Sequence, residues 1–148
     1  MPKSSKPKKA YRPKYQKGQL PIVFRHSNKA DLSLKVIPRE DLERLRTGEA
    51  DEYTINTLAF RLNWGYVMAG EIFDTPEARK IMEDGLAAIR AVKERHKKTG
   101  KYGATGEEFF AMGDALNMTD EMQEGSTRRE QQKCLDALYL INQHLKEN

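Results

Sequence analysis

The chain of 148 residues has little of what several large classes of protein require. It has one cysteine, Cys134, so it cannot form a disulfide within the chain, as most small secreted proteins do. No apolar run approaches the roughly 20 residues needed to cross a bilayer, and no stretch resembles the apolar segment of a secretory signal. These absences favour a cytoplasmic protein with no membrane association.

Motifs that carry catalysis or cofactors are also missing. The three histidines, His26, His96 and His144, are far apart and show neither metal-ligand spacing nor an accompanying cysteine pair. No glycine-rich phosphate loop and no nucleophilic serine motif occurs. Asp120 and Glu124 could share one helical face, but that face supplies too few ligands for a metal. We therefore expect no catalytic residues, no metal and no cofactor, and the protein is not expected to be an enzyme.

Acidic residues are absent from the first twenty positions, which carry seven basic residues. The whole chain has 26 Lys and Arg against 22 Asp and Glu, so the remaining residues hold 19 basic against 22 acidic side chains. A segment so charged, with three prolines and few aliphatic residues, buries too little apolar surface to offset its ordering entropy. We predict a disordered basic arm at residues 1–19 and a single helical domain at residues 20–148.

The arm has the composition of a nucleic-acid contact. Cations able to neutralise phosphates alternate with two tyrosines able to stack on unpaired bases. The residues expected to bind nucleic acid are Lys3, Lys6, Lys8, Lys9, Tyr11, Arg12, Lys14, Tyr15 and Lys17. A solubilising tail and an anchor for an acidic partner are the alternatives, because a basic tail alone does not distinguish among them.

The segment after the arm has two short apolar stretches. Residues 20–24 read Leu-Pro-Ile-Val-Phe, and residues 32–36 alternate between apolar and polar side chains. Period-two alternation is typical of a half-buried strand, which predicts a small β-hairpin. Because an isolated hairpin is marginal in water, two extended pieces lying over a helical body are the alternative. Pro38 is then expected to open a short helix that Gly48 ends.

Three further helices have clear starts. One begins at Asp51, and another begins at Thr75, whose successor Pro76 suits the first helical position. A fourth begins at Thr105, which has capping-box spacing to Glu108. The apolar side chains that follow each start recur every three or four residues, as expected for helices that pack against a core.

Gly125 raises the question of whether the last helix is continuous. Good helix formers flank it on both sides, so we predict one long, bent helix, although glycine costs about 1 kcal/mol relative to alanine. The alternative is that Ser126 or Thr127 caps a fifth helix. The fold class is therefore mainly α, a bundle of four or five helices preceded by a small hairpin and the basic arm.

Aromatic residues in the second helix suggest a contact surface. Phe60 and Trp64 share a face roughly opposite Leu58 and Leu62, which makes this helix apolar on two sides. Burial beneath the N-terminal segment explains this simply. Without such cover, Phe60, Arg61 and Trp64 are the expected anchors for a protein partner, since aromatic residues and arginine dominate interface energetics. Cys134 lies near an apolar stripe and is expected in the core.

Three stretches of the sequence together resemble known proteins. They are Lys-Pro-Lys-Lys-Ala-Tyr-Arg-Pro-Lys at 6–14, the Leu-x-x-Gly-x-Ala turn at 45–50 before a helix with Asn63, and Lys-Thr-Gly-Lys at 98–101 leading into Ala-Leu-Asn at 115–117. In these features the chain resembles small proteins encoded by phages and prophages. The resemblance implies a mobile-element product that acts on nucleic acid or on a host protein, and it implies no catalytic residues.

These observations predict a binding protein. The arm would hold nucleic-acid backbone, and the helical body would dock a host or phage protein or a second copy of the chain. The alternative is an inhibitor or adaptor that acts on a host protein without nucleic acid. The sequence pattern leaves DNA and RNA equally open as ligands.

Overall fold

The fold is known from a computed structural model, which describes residues 28–147 and, for most of them, the side chains. Five α-helices and one π-helical turn make up this range, and no strand occurs in it. They are α1 (Asn28–Thr47), α2 (Glu52–Met68), the π-helical turn (Ala69–Phe73), α3 (Pro76–Thr99), α4 (Gly106–Glu124) and α5 (Arg128–Glu147). The prediction of a mainly α bundle of four or five helices is confirmed. The basic arm and residues 20–24 lie outside the described residues.

The first helix is longer than the sequence pattern predicts. The prediction of a strand at residues 32–36 is wrong, because α1 already begins at Asn28 and passes through Pro38. Pro38, Leu42 and Leu45 are all buried, and together with the half-buried Leu34 they are spaced by four, four and three residues. This helical stripe packs on the core, which outweighs five residues of alternation. Gly48 ends the helix with a left-handed backbone, φ 83°, as predicted.

The predicted starts of α2, α3 and α4 are confirmed by capping hydrogen bonds. Asp51 Oδ1 accepts from the Thr54 amide at 2.8 Å, and Thr75 Oγ1 accepts from the Ala78 amide at 3.2 Å. At α4, the Thr105 amide donates to Glu108 Oε1 at 2.9 Å while the Glu108 amide donates to Thr105 Oγ1 at 3.2 Å. Each bond satisfies an amide that has no partner within its own helix.

The prediction of one continuous helix through Gly125 is wrong, and the alternative is correct. Helix α4 ends at Glu124 and α5 begins at Arg128. Thr127 and Glu130 form a second capping box, in which the Thr127 amide donates to Glu130 Oε1 at 2.8 Å and the Glu130 amide donates to Thr127 Oγ1 at 3.2 Å. Two satisfied amides, added to the helical cost of glycine, favour a break over a bend.

Helix α2 lies at the centre of the bundle and contacts the other four helices. It packs closely on α4 at Gly65, where an added Cβ would lie 2.0 Å from Thr119 Oγ1. On α3, a Cβ at Gly85 would lie 2.5 Å from Ala115 Cβ of α4. The two glycines therefore let α2 and α3 both pack closely on α4.

Candidate functional site

A buried polar cluster joins three helices on one side of the core. Arg61 of α2 donates through Nη2 to Asp120 Oδ1 of α4 at 2.9 Å, and the two side chains are only 9% and 13% exposed. Arg39 of α1 donates to Asp120 Oδ2 at 2.8 Å and to Asn117 Oδ1 at 2.7 Å. Asp120 thus accepts from two arginines, and the cluster ties α1 and α2 to α4.

Two of the three residues predicted to bind a partner, Arg61 and Trp64, belong to this cluster. Trp64 is 7% exposed, and its Nε1 donates to Gln123 Oε1 at 3.2 Å, while Arg61 donates to the same oxygen. Phe60 differs, because 57% of its surface is exposed. Tyr53, seven residues earlier and therefore on the same side of α2, is 75% exposed. A partner could reach Phe60 and Tyr53, so the contact role of this surface stays a prediction that rests on Phe60.

Two carboxylates, Asp120 and Asp41, have little exposed surface. The side chain of Asp120 is 13% exposed and accepts from two arginines, and Asp41 is 7% exposed. Burial raises the pKa of Asp41, an effect that the hydroxyl of Thr57 opposes by donating to Asp41 Oδ2 at 2.7 Å. Sequence spacing carries no signal for this, because the burying residues come from other parts of the chain.

The two carboxylates considered as metal ligands, Asp120 and Glu124, form ion pairs between helices. Asp120 binds arginines, and Glu124 forms an ion pair with Lys35 of α1. Between residues 28 and 147, no group of three or more His, Cys, Asp or Glu side chains is placed to hold a metal ion. In this range both carboxylates bind cationic side chains and thereby join helices.

An open cleft of about 630 Å³ lies where α1 ends, α2 begins and α3 ends. His96 of α3 and Tyr102 of the following loop stack in it, with ring centroids 3.7 Å apart and planes inclined by 4°. The lining residues are Gly48, Ala50, Asp51, Glu52, His96, Gly100, Lys101 and Tyr102. His96 is half-buried and lines this cleft.

The loop that carries Tyr102 is held in place by Arg95. Its guanidinium donates to the Gly103 carbonyl at 2.7 Å and to the two carboxylate oxygens of Glu108 at 3.0 and 2.8 Å. This bidentate bond, the largest cause, lowers the pKa of Glu108, and the Thr105 amide adds to the effect. Because Glu108 also closes the capping box of α4, the loop and the helix start are fixed by the same carboxylate.

A cationic flank on α3 is a feature that the sequence motifs do not single out. Arg90, Lys93 and Lys97 follow one another at spacings of three and four residues, so they lie along one side of the helix. Lys97 pairs with Glu94 at 3.1 Å, whereas Arg90 and Lys93 form no ion pair within the described residues. A signal for it exists in composition, because the stretch from Arg90 to Lys101 has six basic residues and one acidic residue.

The residues predicted to contact nucleic acid, from Lys3 to Lys17, all lie outside the described residues. Their role stays a prediction. The first 27 residues contain eight basic side chains and no acidic one, which leaves 18 basic against 22 acidic residues in the rest of the chain. The described part of the molecule is therefore anionic overall, although the flank on α3 is locally cationic.

Cys134 is fully buried in α5, which confirms that it belongs to the core. Burial, with a smaller contribution from Glu71, raises the pKa of its thiol to about 12. A thiol that stays protonated and inaccessible is a poor nucleophile, so the side chain has the properties of a small apolar residue.

No helix among residues 28–147 combines the length and apolarity needed to cross a membrane. Comparison with known protein families, curated proteins and solved structures finds no match for this chain.

Proposed function

We propose that this protein binds nucleic acid without catalysing a reaction, and that its N-terminal arm supplies the main contacts to the backbone. The single observation that carries this proposal is the segregation of charge along the chain. All eight charged residues in the first 27 are basic, while the remainder is net acidic. Phosphates would be attracted by the arm and repelled by most of the helical body.

The composition of the arm supports a contact with backbone and bases together. Each lysine or arginine that meets a phosphate releases condensed counterions, so affinity would fall steeply with salt. Tyr11 and Tyr15 would stack on bases or press against sugars, which is tolerant of sequence. Such binding has no strong base preference, and it does not require a pocket.

The helical body would then position the arm and dock a partner. Phe60 and Tyr53 are exposed on one side of α2, and aromatic residues of this kind are frequent at protein interfaces. The proposed partner is a host or phage protein or a second copy of the chain. The resemblance of several sequence stretches to phage and prophage products supports a mobile-element setting.

The test is nucleic-acid binding by a full-length variant with four arm lysines neutralised. Lys8, Lys9, Lys14 and Lys17 are changed to Gln, and retention of a labelled oligonucleotide is measured at increasing salt. We expect weaker binding and a slope of log affinity against log salt that is shallower by about 3, since each phosphate that is no longer neutralised reduces the slope by roughly 0.7 to 0.9.

A matched variant controls for the change in net charge. Arg44, Arg46, Arg79 and Lys80 are exposed on the body and away from the arm in sequence, and all four are changed to Gln. If this control weakens binding as much as the arm variant does, net charge rather than the arm governs binding, and the proposal is wrong.

Exposure of Phe60 and Tyr53 favours one second candidate, an inhibitor or adaptor that acts on a host protein without nucleic acid. A tagged pull-down from the native cell, with and without nuclease, separates the two. Loss of all partners after nuclease treatment supports the arm-led function. A protein companion that resists nuclease and disappears with Phe60→Ala supports the adaptor.

A further inference from the structure

The C-terminal half of α3 carries a row of cations, and the cleft at its end contains the stacked rings of His96 and Tyr102. We infer that this region is a second nucleic-acid contact, which takes a single strand with its phosphates along Arg90, Lys93 and Lys97 and an unpaired base against Tyr102. The inference rests on the proposed function and names its ligand class, and it assigns part of the binding to the helical body.

The cationic flank has the dimensions of a short backbone contact. Seven residues separate Arg90 from Lys97, which at 1.5 Å per residue places them about 10 Å apart along the helix axis. The flank is exposed at Arg90 and Lys97 and half-exposed at Lys93. Arg90 and Lys93 differ from the cations in the N-terminal half of α3, because Lys80 pairs with Asp84 and Arg79 pairs with Asp74. Lys97 pairs with Glu94 in an exposed ion pair, which a phosphate would have to replace.

Tyr102 offers a stacking surface at the end of this flank. One face of its ring is covered by His96, and the side chain lines the open cleft while remaining half-exposed. The ring is also held in position, because Arg95 binds the carbonyl of the next residue, Gly103. A fixed aromatic ring beside lysines is the arrangement that single-strand binding proteins use for base stacking.

Two carboxylates in the cleft favour a base over a phosphate there. Asp51 and Glu52, at the start of α2, line the same cleft and outnumber its one lysine, Lys101, so a phosphate inside it would be repelled. A base carries no charge, and its N–H groups can donate hydrogen bonds to carboxylate oxygens. The charges therefore separate the two parts of a nucleotide, with phosphates on the α3 flank and the base in the cleft.

The cleft lies at the end of the bundle opposite the first half of α1. Lys35, in the first half of α1, pairs with Glu124 at the end of α4, whereas Gly48, which follows α1, lines the cleft at the end of α3. The contact proposed here is therefore formed by the other end of the helical body.

The experiment measures binding of a labelled oligothymidylate strand and of a fully paired, blunt-ended duplex with the same number of phosphates. In the full-length chain, Lys93→Gln with Lys97→Gln should lower the salt slope for the single strand by about 1.4, at roughly 0.7 for each phosphate contact. Tyr102→Leu should weaken single-strand binding roughly tenfold, whereas Tyr102→Phe, which keeps the ring, should bind as the wild type does. Duplex binding should be unchanged by either tyrosine variant, because a paired base cannot stack on the ring.

The control is Arg79→Gln with Lys80→Gln, which removes two cations from the other half of the same helix. An equal loss with this control, or an equal loss of strand and duplex binding with Tyr102→Leu, would overturn the inference. Thermal unfolding followed by circular dichroism shows whether Tyr102→Leu is folded. If it is not, the variant with Lys93→Gln and Lys97→Gln is compared with the control, and equal binding by the two overturns the inference.

The arm-neutralised variant separates this inference from the proposed function. If neutralising Lys8, Lys9, Lys14 and Lys17 abolishes binding while the α3 variants have no effect, the arm alone binds and the inference is wrong. If the α3 variants weaken binding and the arm variant does not, the arm-led function is wrong and the α3 contact stands.

Discussion

Arg61 of α2 and Asp120 of α4 form an ion pair of 2.9 Å that is largely shielded from water. Because Asp120 also accepts from Arg39, one carboxylate balances two guanidinium groups from different helices. Removing a partner from a buried pair leaves an uncompensated charge, which is more costly than the net gain from making the pair. The pair therefore helps to hold α2 on α4, and Arg39 adds α1 to the same carboxylate.

We predict that Asp120→Ala lowers the free energy of unfolding by about 3 kcal/mol, the range typical of a broken buried pair. Urea unfolding followed by circular dichroism measures the change. Glu124→Ala, four residues later on α4, is the control, since its ion pair with Lys35 is much more exposed and should contribute less than about 1 kcal/mol. Similar losses in the two variants would show that burial of the first pair has no special weight.

The close packing at Gly65 and Gly85 predicts opposite effects for alanine at different glycines. Gly65→Ala and Gly85→Ala should each destabilise the fold by about 1 to 3 kcal/mol, because the new methyl group would overlap atoms of Thr119 or Ala115. Gly113→Ala, inside α4, should stabilise the fold by about 0.5 to 1 kcal/mol, since its Cβ would meet only Leu42 Cδ2 at 3.9 Å. Thermal melting of the three variants checks the order, and a stable Gly65→Ala protein would contradict it.

The separate start of α5 predicts a measurable cap. Thr127→Ala should destabilise the protein by about 1 kcal/mol, because the Glu130 amide loses the hydroxyl that accepts its hydrogen bond. Thr127→Ser keeps that hydroxyl and should remain close to the wild type. If both variants melted alike, the capping bond would be unimportant and a helix continuous through Gly125 would be favoured again.

The lowered pKa of Glu108 predicts that its contribution to stability is lost in acid. Its pKa in the folded state is lowered, chiefly by Arg95, from an ordinary value of 4.5, so its contribution is complete above 4.5 and is lost as the pH falls through the folded value. Glu108→Gln keeps an acceptor for the capping box but removes the charge. The variant should be less stable than the wild type at pH 7 and should approach it in acid. Urea unfolding across this pH range measures the difference.

The contribution of Asp41 to stability should change with pH in the opposite direction from that of Glu108. Burial raises its pKa above the ordinary 3.8, so the charged form is disfavoured in the fold and the wild type gains from this group as the pH falls toward 3.8. Asp41→Asn removes the charge, so the part of the free energy of unfolding that rises as the pH falls should be smaller in this variant. Urea unfolding at neutral and acid pH measures the difference. A variant that kept the full gain would show that another group titrates there.

Local signals in the sequence predicted most of the helix boundaries. Asp51, Thr75 and Thr105 each cap the helix expected of them, because a capping bond joins residues only two or three positions apart. The start of α1 was not predictable in this way. The length of α1 depends on its contacts with α2 and α4, which are distant in the chain, and a short alternating stretch pointed to a strand instead.

The candidate site depended even more on distant residues. Phe60 and Trp64 share a helical face, but Trp64 is buried and donates to Gln123 of α4, whereas Phe60 is exposed. The cleft beside His96 is formed by three chain segments that meet only in the fold. By contrast, the excess of cations in the second half of α3 was readable from composition, and the larger excess in the arm obscured it.

The tight fit of Gly65 against α4 has a consequence for Phe60, five residues away on the same helix. Helix α2 cannot rotate about its long axis without a clash between its backbone at Gly65 and Thr119. The direction in which the Phe60 side chain leaves the helix is therefore fixed by the packing of α2 on α4. A partner that bound Phe60 would contact a residue whose backbone is already fixed. Binding would then cost the conformational entropy of little more than one side chain.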